Sequence, residues 1–365
     1  MRLNPEFWAG RRVLLTGHTG FKGAWLLLWL QELGAEVWGT ALAPEPAPNL
    51  FRELAASRPP GAEHNWHHHE GDIRDLVDLQ DLVMRCQPEV VLHLAAQPLV
   101  RQSYRDPLTT WTTNVQGSLH LLEALKPLQQ RCAVVMVTTD KVYANREWEY
   151  GYREEDRLGG HDPYSASKAA AELAIASWRA SFCGPGVHQT LHLAIATARA
   201  GNVIGGGDWA EDRIVPDAMR CLAAGAAIPV RHPEATRPWQ HVLEPLGGYL
   251  LLAENLATAG QAYASAFNFG PALEANCSVR ELVDTALSHW PGSWRDLSDS
   301  TALHEAGRLH LQIDKAHHQL GWRPRWPFAT TVERTVAWYR AVHEGASPLQ
   351  CCLADLACYQ EDLAP

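Results

Sequence analysis

The chain has 365 residues, 46% of them hydrophobic and 20% charged, with a formal net charge of -10 at pH 7. That length suits roughly two domains, or one large α/β body with an appended lobe, and the apolar fraction excludes disordered and collagen-like chains. The early apolar run Ala24–Leu30 is far short of the ~20 residues a membrane span needs, and the acidic balance argues against nucleic acid, whose binders carry a basic face.

The expectation is a soluble, cytoplasmic protein without a signal peptide. Eight cysteines are too few for a disulfide scaffold and none forms a CxxC, so neither a redox motif nor a zinc ribbon is assigned. Cys351 and Cys352 read as small residues near a C-terminal helix. His64, His67, His68 and His69 follow Pro59-Pro60-Gly61 and read as a solvated loop or edge strand, with no metal assigned.

In chain order, Arg12-Val13-Leu14-Leu15-Thr16 is a strand running into a glycine-rich turn. Residues 22–33 read as a helix with Gly34 as its C-cap. A strand at 36–42 precedes a proline-rich loop at 43–50. A helix at 75–86, a strand at 89–94, a helix at 113–125 and a strand at 133–138 follow. Such alternation builds βαβ units and a parallel sheet covered on both faces. Residues 147–162 are polar and read as a long loop, 163–182 as an Ala-rich helix, and 188–199 as one more strand. Glycine and proline thicken from Gly201 onward, which marks a smaller lobe over 201–365. The fold class is therefore α/β, a Rossmann-type doubly wound parallel sheet over 1–200, with a returning segment near 238–262 and a mixed α/β C-terminal lobe.

The first strand enters Thr16-Gly17-His18-Thr19-Gly20-Phe21-Lys22-Gly23, a GxxGxxG spacing. Gly17 allows the turn, Gly20 lets backbone approach a pyrophosphate, and Gly23 lets helix meet strand, while the helix N-terminus supplies N–H groups to the phosphates. No acidic residue and no arginine ends the second strand at Trp38-Gly39-Thr40-Ala41-Leu42. The absent arginine leaves a 2′-phosphate without a partner, so NAD is expected over NADP. Asp72 and Ile73 are placed at the adenine edge, and Leu94, Ala95 and Ala96 where the chain passes close to a cofactor, followed by Gln97.

Tyr164-Ser165-Ala166-Ser167-Lys168 puts Tyr and Lys on one helix face. A nearby ammonium favours phenolate, which suits Tyr164 to take a proton from a sugar hydroxyl while Lys168 holds a nicotinamide ribose. Upstream, Thr138-Thr139-Asp140-Lys141-Val142-Tyr143 ends a parallel strand, where residues face the ligand crevice. A carboxyl and an amine there add acid/base capacity beyond a plain dehydrogenase.

These pieces are similar to the extended short-chain dehydrogenase/reductase superfamily, and within it to the CDP-sugar branch of the nucleotide-sugar 4,6-dehydratases. The likeness covers nearly the whole chain, through NPEFW (4–8), TGHTGFKG (16–23), LAAQPLVRQSY (94–104), TTDKVY (138–143), GYREEDRLGGHDPYSASKAAAE (151–172), AGNVIGGGDWAEDRIVPD (200–217) and RPWQHVLEPLGGYL (237–250). Asp140-Lys141, in place of the Asp-Glu usual in dTDP-sugar dehydratases, points to the CDP branch. Ala144 stands where Glu is commoner.

The resemblance implies a bound NAD and an internal redox reaction on CDP-glucose. Tyr164 is the base at the C4 hydroxyl, with Thr139 on the same oxygen. Asp140 protonates the departing C6 hydroxyl. Lys141 either removes the C5 proton, which an ammonium does only after losing its own, or stabilises the enolate. Arg237 and Asn202 are implied at the diphosphate or sugar, with Arg231, Asn268, His304 and Gln97 as further substrate contacts. A homodimer or higher homo-oligomer and a place in deoxysugar biosynthesis for lipopolysaccharide O-antigen are expected too. Other nucleotide-sugar 4,6-dehydratases and a C4 epimerase are the alternatives; an epimerase needs Tyr164, Lys168 and Thr139 but no acid for C6. A silent NAD-binding module would have lost part of that set.

Overall fold

The computed structural model describes residues 3–45, 47–57, 65–183, 192–298 and 308–363. Seven parallel strands form the central sheet: β1 (Arg12–Thr16), β2 (Glu36–Ala41), β3 (Trp66–Glu70), β4 (Val90–His93), β5 (Cys132–Val137), β6 (Leu193–Ala200) and β7 (Ala266–Phe269). Their order is β7-β6-β5-β4-β1-β2-β3, and each neighbouring pair is parallel. β4, β5 and β6 are buried along their whole length, as expected of strands covered on both faces, and this is why they read as unbroken Val, Leu, Ile and Ala runs.

One face of the sheet is covered by helices Leu76–Cys86, Ser118–Leu125 and Pro163–Phe182, whose Leu82, Leu121 and Ile175 share a cluster with Leu14 and Val134. The other is covered by helices Phe21–Glu32 and Leu243–Ala259, whose Leu26 and Leu250 pack with Leu15 and Val135. Helix Phe21–Glu32 is buried without a break from Gly23 to Leu30, because it is hydrophobic on every side and lies between the sheet and the lobe. Its lobe-facing side is tied by Trp25 Nε1, which donates to the Gly206 carbonyl at 2.9 Å, and by Trp29, whose ring meets Tyr359 edge-on at 5.8 Å.

The histidine run forms the edge strand β3, where His69 meets Asp78 at 2.8 Å and His68 meets His18 at 2.7 Å; His64 lies outside the described residues. Among the described residues no group of His, Cys, Asp and Glu is placed to hold a metal. The expected helix over 113–125 is interrupted: Thr112–Gly117 is a π-helical turn that leads into Ser118–Leu125. A Cβ on Gly117 would lie 2.7 Å from Ile73 Cδ1, so the glycine lets this turn seat on Ile73. The sheet also takes a strand from further along the chain than 238–262, since β7 pairs with β6. Among the described residues the lobe adds three two-stranded ladders, Val203–Ile204 with Gln240–His241, Thr236–Pro238 with Asn276–Ser278, and Ile228–Val230 with Trp294–Asp296.

Candidate active site

The site is assembled at the C-terminal ends of β1, β4, β5 and β6. Thr16 Oγ1 closes the first of these ends: it accepts from the amides of Leu94 (3.2 Å) and Ala95 (3.1 Å) and meets His93 Nδ1 at 2.7 Å. This brings the glycine turn against the loop after β4. Gly17 has φ +77° and a Cβ there would lie 2.7 Å from the Ala95 amide, while one on Gly23 would lie 2.1 Å from the Gly17 carbonyl oxygen. Protein atoms therefore demand both glycines. Gly20 differs, because a Cβ there would meet only the Gly17 carbonyl oxygen at an ordinary 3.5 Å. Helix Phe21–Glu32 also has no side-chain cap, so its first-turn N–H groups, those of Phe21, Lys22 and Gly23, are left for a ligand. Space over Gly20 and uncapped amides fit a dinucleotide pyrophosphate. Thr19 lies within the turn, its hydroxyl donating to the Leu42 carbonyl at 3.2 Å.

At the end of β2, His18 fills the position over Gly39, whose Cβ would lie 2.6 Å from the imidazole Cγ. Burial and the neighbouring His68 push the His18 imidazole down to about 4, so it is neutral. In the sequence His18 stands only as an unassigned position of the GxxGxxG turn. Asp72 lies beyond β3 with its carboxylate closed on Arg74 at 2.6 Å. Leu94, Ala95 and Ala96 are half-buried beside the turn.

The helix Pro163–Phe182, which carries the Tyr/Lys pair, starts where Asp162 accepts from the Ser165 amide (2.9 Å) and hydroxyl (2.6 Å), with Pro163 in its first turn. That start places Tyr164 (8% exposed) and Lys168 (5%) under the end of β5, beside Thr138, Thr139 and Asp140, which are equally buried. Burial pushes the Tyr164 phenol up to about 12, while its hydrogen bond with Thr139 pulls it down; Asp140 adds to the rise and Arg213 opposes it. The sequence assigned this lowering to Lys168. The structure turns Lys168 Nζ toward the Val137 carbonyl instead, at 3.3 Å, and burial brings that amine down to about 8, with Glu172 pulling the other way. Thr139 Oγ1 also donates to Asp140 Oδ1 at 3.0 Å, so Tyr164, Thr139 and Asp140 form one contiguous group.

Burial raises the Asp140 carboxyl above the usual range, against the pull of Lys141, Thr139, Arg237 and Lys22; such a group can hold and give up a proton. Its close neighbour is Gly201, where a Cβ would lie 2.8 Å from Asp140 Oδ2. Lys141 is half-buried next to it. Lys22 of the glycine turn reaches the same region, its amine brought down to about 8 by burial and by Arg213.

Arg237 lies close enough to Asp140 to act on its charge. Asn202 follows β6 and is half-buried, with no side-chain hydrogen bond to the described residues. Arg231 is paired with Asp212 at 3.0 Å, which Arg101 also contacts at 3.0 Å. Gln97 is turned inward, its amide bonded to Thr110 Oγ1 (2.8 Å) and to the Leu99 carbonyl and amide. Asn268 is corrected: it is fully buried, accepts from Tyr143 Oη (2.7 Å) and donates to the Tyr152 and Gln312 carbonyls. That full set of internal partners makes it a brace behind the site, not a surface for substrate. His304 lies outside the described residues.

Two further residues went unassigned in the sequence. Asn114, on the π-turn, donates to Ser167 Oγ (2.9 Å) and the Gln97 carbonyl (3.1 Å), joining helix Pro163–Phe182 to the loop after β4. Arg213 pairs with Asp208 at 2.8 Å and bears on Tyr164 and Lys22. Neither stands in a spacing that announces it, although Arg213 falls within the 200–217 segment that carries the family likeness.

A seven-stranded parallel sheet with an open glycine turn on β1 and a Tyr/Lys helix beside β5 defines a dinucleotide-binding α/β enzyme of the extended short-chain dehydrogenase/reductase class. Residues 14–335 match the family described as GDP-mannose 4,6 dehydratase, and the chain belongs to that family. It is 45% identical over 359 residues to a CDP-glucose 4,6-dehydratase of Salmonella typhimurium, covering 98% of each chain. It is 31% identical over 284 residues to a dTDP-glucose 4,6-dehydratase of Streptomyces antibioticus, covering 77% and 78%. Among solved structures, DesIV of Streptomyces venezuelae, a dTDP-glucose 4,6-dehydratase with NAD bound, superposes with a TM-score of 0.76 at 27% identity over 93% of this chain and 99% of that one.

Proposed function

We propose that this chain is an NAD-dependent CDP-glucose 4,6-dehydratase, a hydro-lyase that forms CDP-4-keto-6-deoxyglucose and water. The observation that carries the reading is the contiguous Tyr164–Thr139–Asp140 group, which couples a redox base to a buried carboxylic acid. The amides around Gly20, together with Lys168, would hold NAD, which would supply a hydride acceptor at the sugar C4 and a hydride donor at C6. Tyr164 takes the proton of the C4 hydroxyl, and Thr139 orients that oxygen by sharing it. The resulting C4 carbonyl acidifies the C5 proton. Asp140 gives its proton to the departing C6 hydroxyl, and its burial makes it hold that proton more firmly than an exposed carboxyl would. Lys141 works at C5, as base or as a cation facing the enolate. Arg237 and Asn202 hold the diphosphate and sugar, and the nucleotide base is read by the lobe.

The 45% identical relative supports the CDP-sugar assignment, as does Asp140-Lys141 itself. The proposal extends to a cytoplasmic homodimer that supplies a deoxysugar for O-antigen. Exposed Leu108 (78%), Trp111 (39%) and Leu173 (62%), on neighbouring helices, support self-association.

The test is incubation of the purified protein with CDP-glucose, followed by the alkali-induced absorbance of a 4-keto-6-deoxy sugar, with dTDP-, UDP- and GDP-sugars as controls. No product from any of them removes the dehydratase reading; product from dTDP-glucose alone removes the CDP assignment. Asp140→Asn is expected to form reduced cofactor in a single turnover while product release falls by about 10²–10⁴-fold.

A further inference from the structure

Behind the catalytic residues lies a charged group that the reaction scheme leaves idle. Glu172 sits one turn beyond Lys168 on the catalytic helix and is 3% exposed. Its Oε1 accepts from Thr138 Oγ1 at 2.6 Å and from Arg199 Nε at 3.0 Å. Its Oε2 accepts from Thr197 Oγ1 and from Arg199 Nη2, both at 2.8 Å. Four donors thus converge on one carboxylate, from the end of β5 and from two positions on β6. Arg199 Nη1 continues the chain to Tyr143 Oη and the Glu154 carbonyl, both at 2.9 Å, and Tyr143 is the last residue of the Thr138–Tyr143 segment that carries Thr139, Asp140 and Lys141.

A buried ion pair is weak grounds for stability, because desolvating two charges offsets most of their attraction. What this one does geometrically is specific. It joins the helix that carries Tyr164 and Lys168 to both ends of the segment that carries Thr139 and Asp140. We propose that Glu172, clamped by Arg199, is a positioning residue for hydride transfer: it sets the register between the catalytic helix and the end of β5, so that Tyr164 and Thr139 address the same sugar oxygen and Lys168 is held in place to orient the cofactor. The inference rests on the dehydratase reading above. Distances between reacting groups tolerate little error in such steps, so loss of the clamp acts on the chemical step more than on substrate affinity.

A second consequence is electrostatic. Around Lys168 stand Glu172 on its own helix, the Val137 carbonyl on β5, His93 on β4, and Lys22 on the glycine turn. Burial keeps His93 neutral, and Lys22 repels the Lys168 ammonium. Glu172 is therefore the carboxylate that opposes its deprotonation.

The experiment is single-turnover formation of reduced cofactor with CDP-glucose across pH, on the NAD-loaded full-length enzyme, for wild type, Glu172→Gln and Thr138→Val. Glu172→Gln is expected to lower the hydride-transfer rate at least tenfold, to leave KM within about twofold, and to move the alkaline limb of the profile to lower pH. Thr138→Val keeps the ion pair and removes one bond of the clamp, and its rate is expected to fall about fivefold with KM unchanged. A folded Glu172→Gln enzyme with the wild-type rate and pH profile would overturn the proposal. Should that variant not fold, a wild-type rate in Thr138→Val overturns it equally. Absence of reduced cofactor in the wild type would instead strike at the dehydratase reading, which separates the two failures.

Discussion

Glu244 offers a quantitative test of how the lobe is held to the sheet. It lies in the first turn of helix Leu243–Ala259, fully buried, with Oε1 accepting from the amides of Arg325 (2.9 Å) and Trp326 (2.7 Å) and Oε2 from Tyr359 Oη (2.7 Å). Helix Pro348–Asp362, which carries Tyr359, is thereby tied to a helix that covers the sheet. Burial pushes the Glu244 carboxyl from 4.5 up to about 7, more than its hydrogen bonds from Trp326, Tyr359 and Arg325 can offset. A carboxyl raised on folding contributes stability that is complete below about pH 4.5 and is lost as pH rises through about 7. At about 1.4 kcal/mol per pKa unit, the ionised carboxylate costs on the order of 3 kcal/mol above that range. Glu244→Gln keeps an acceptor for both amides and presents its NH2 to Tyr359 Oη, which can accept. The variant should match wild type near pH 5 and exceed it by about 1–3 kcal/mol near pH 8, measured by denaturant unfolding at both values. A variant less stable than wild type at pH 8 would refute the reasoning, because ionised Glu244 would then be a net contributor.

The glycine turn separates ligand space from protein space. Gly20→Ala should leave the melting temperature within about 2 °C of wild type while weakening cofactor retention at least tenfold, since its Cβ enters only the open face; Gly17→Ala should destabilise the fold itself through its positive φ and its contact with Ala95, at about 1–3 kcal/mol. Thermal melting and equilibrium dialysis with NAD read the two effects apart, and equal losses in both variants would remove the pyrophosphate assignment. Lys141→Arg and Lys141→Met divide the two roles open to that residue. If the amine is the C5 base, both variants form reduced cofactor but neither exchanges the C5 hydrogen with deuterated water; if it serves as a cation, arginine retains exchange and methionine loses it.

Much of this site was legible in the chain because the signals are local. Glycine positions, an Ala-rich stretch and a Tyr/Lys pair one turn apart act through backbone geometry over a few residues, and helix 163–182 follows the expected bounds. The interruption at Thr112–Gly117 was not legible, since a π-turn is chosen by what it packs against, here Ile73 and Ser167. Asn268 was misplaced for a related reason: the carboxamide carries no mark of whether its partners are a ligand or the protein's own carbonyls.

What the sequence determined by itself is the dinucleotide frame. The parallel sheet, the glycine turn and the Tyr/Lys pair follow from period, spacing and residue type, which tertiary context does not alter. What only the tertiary structure decided is the electrical state of the site. The -10 net charge says nothing of it, because the groups that matter, Asp140, Lys22, Lys168 and the Glu172–Arg199 pair, come from four separate stretches of chain and acquire their protonation from burial and from one another. Desolvation and charge proximity exist only once the strands have brought those stretches to one end of the sheet.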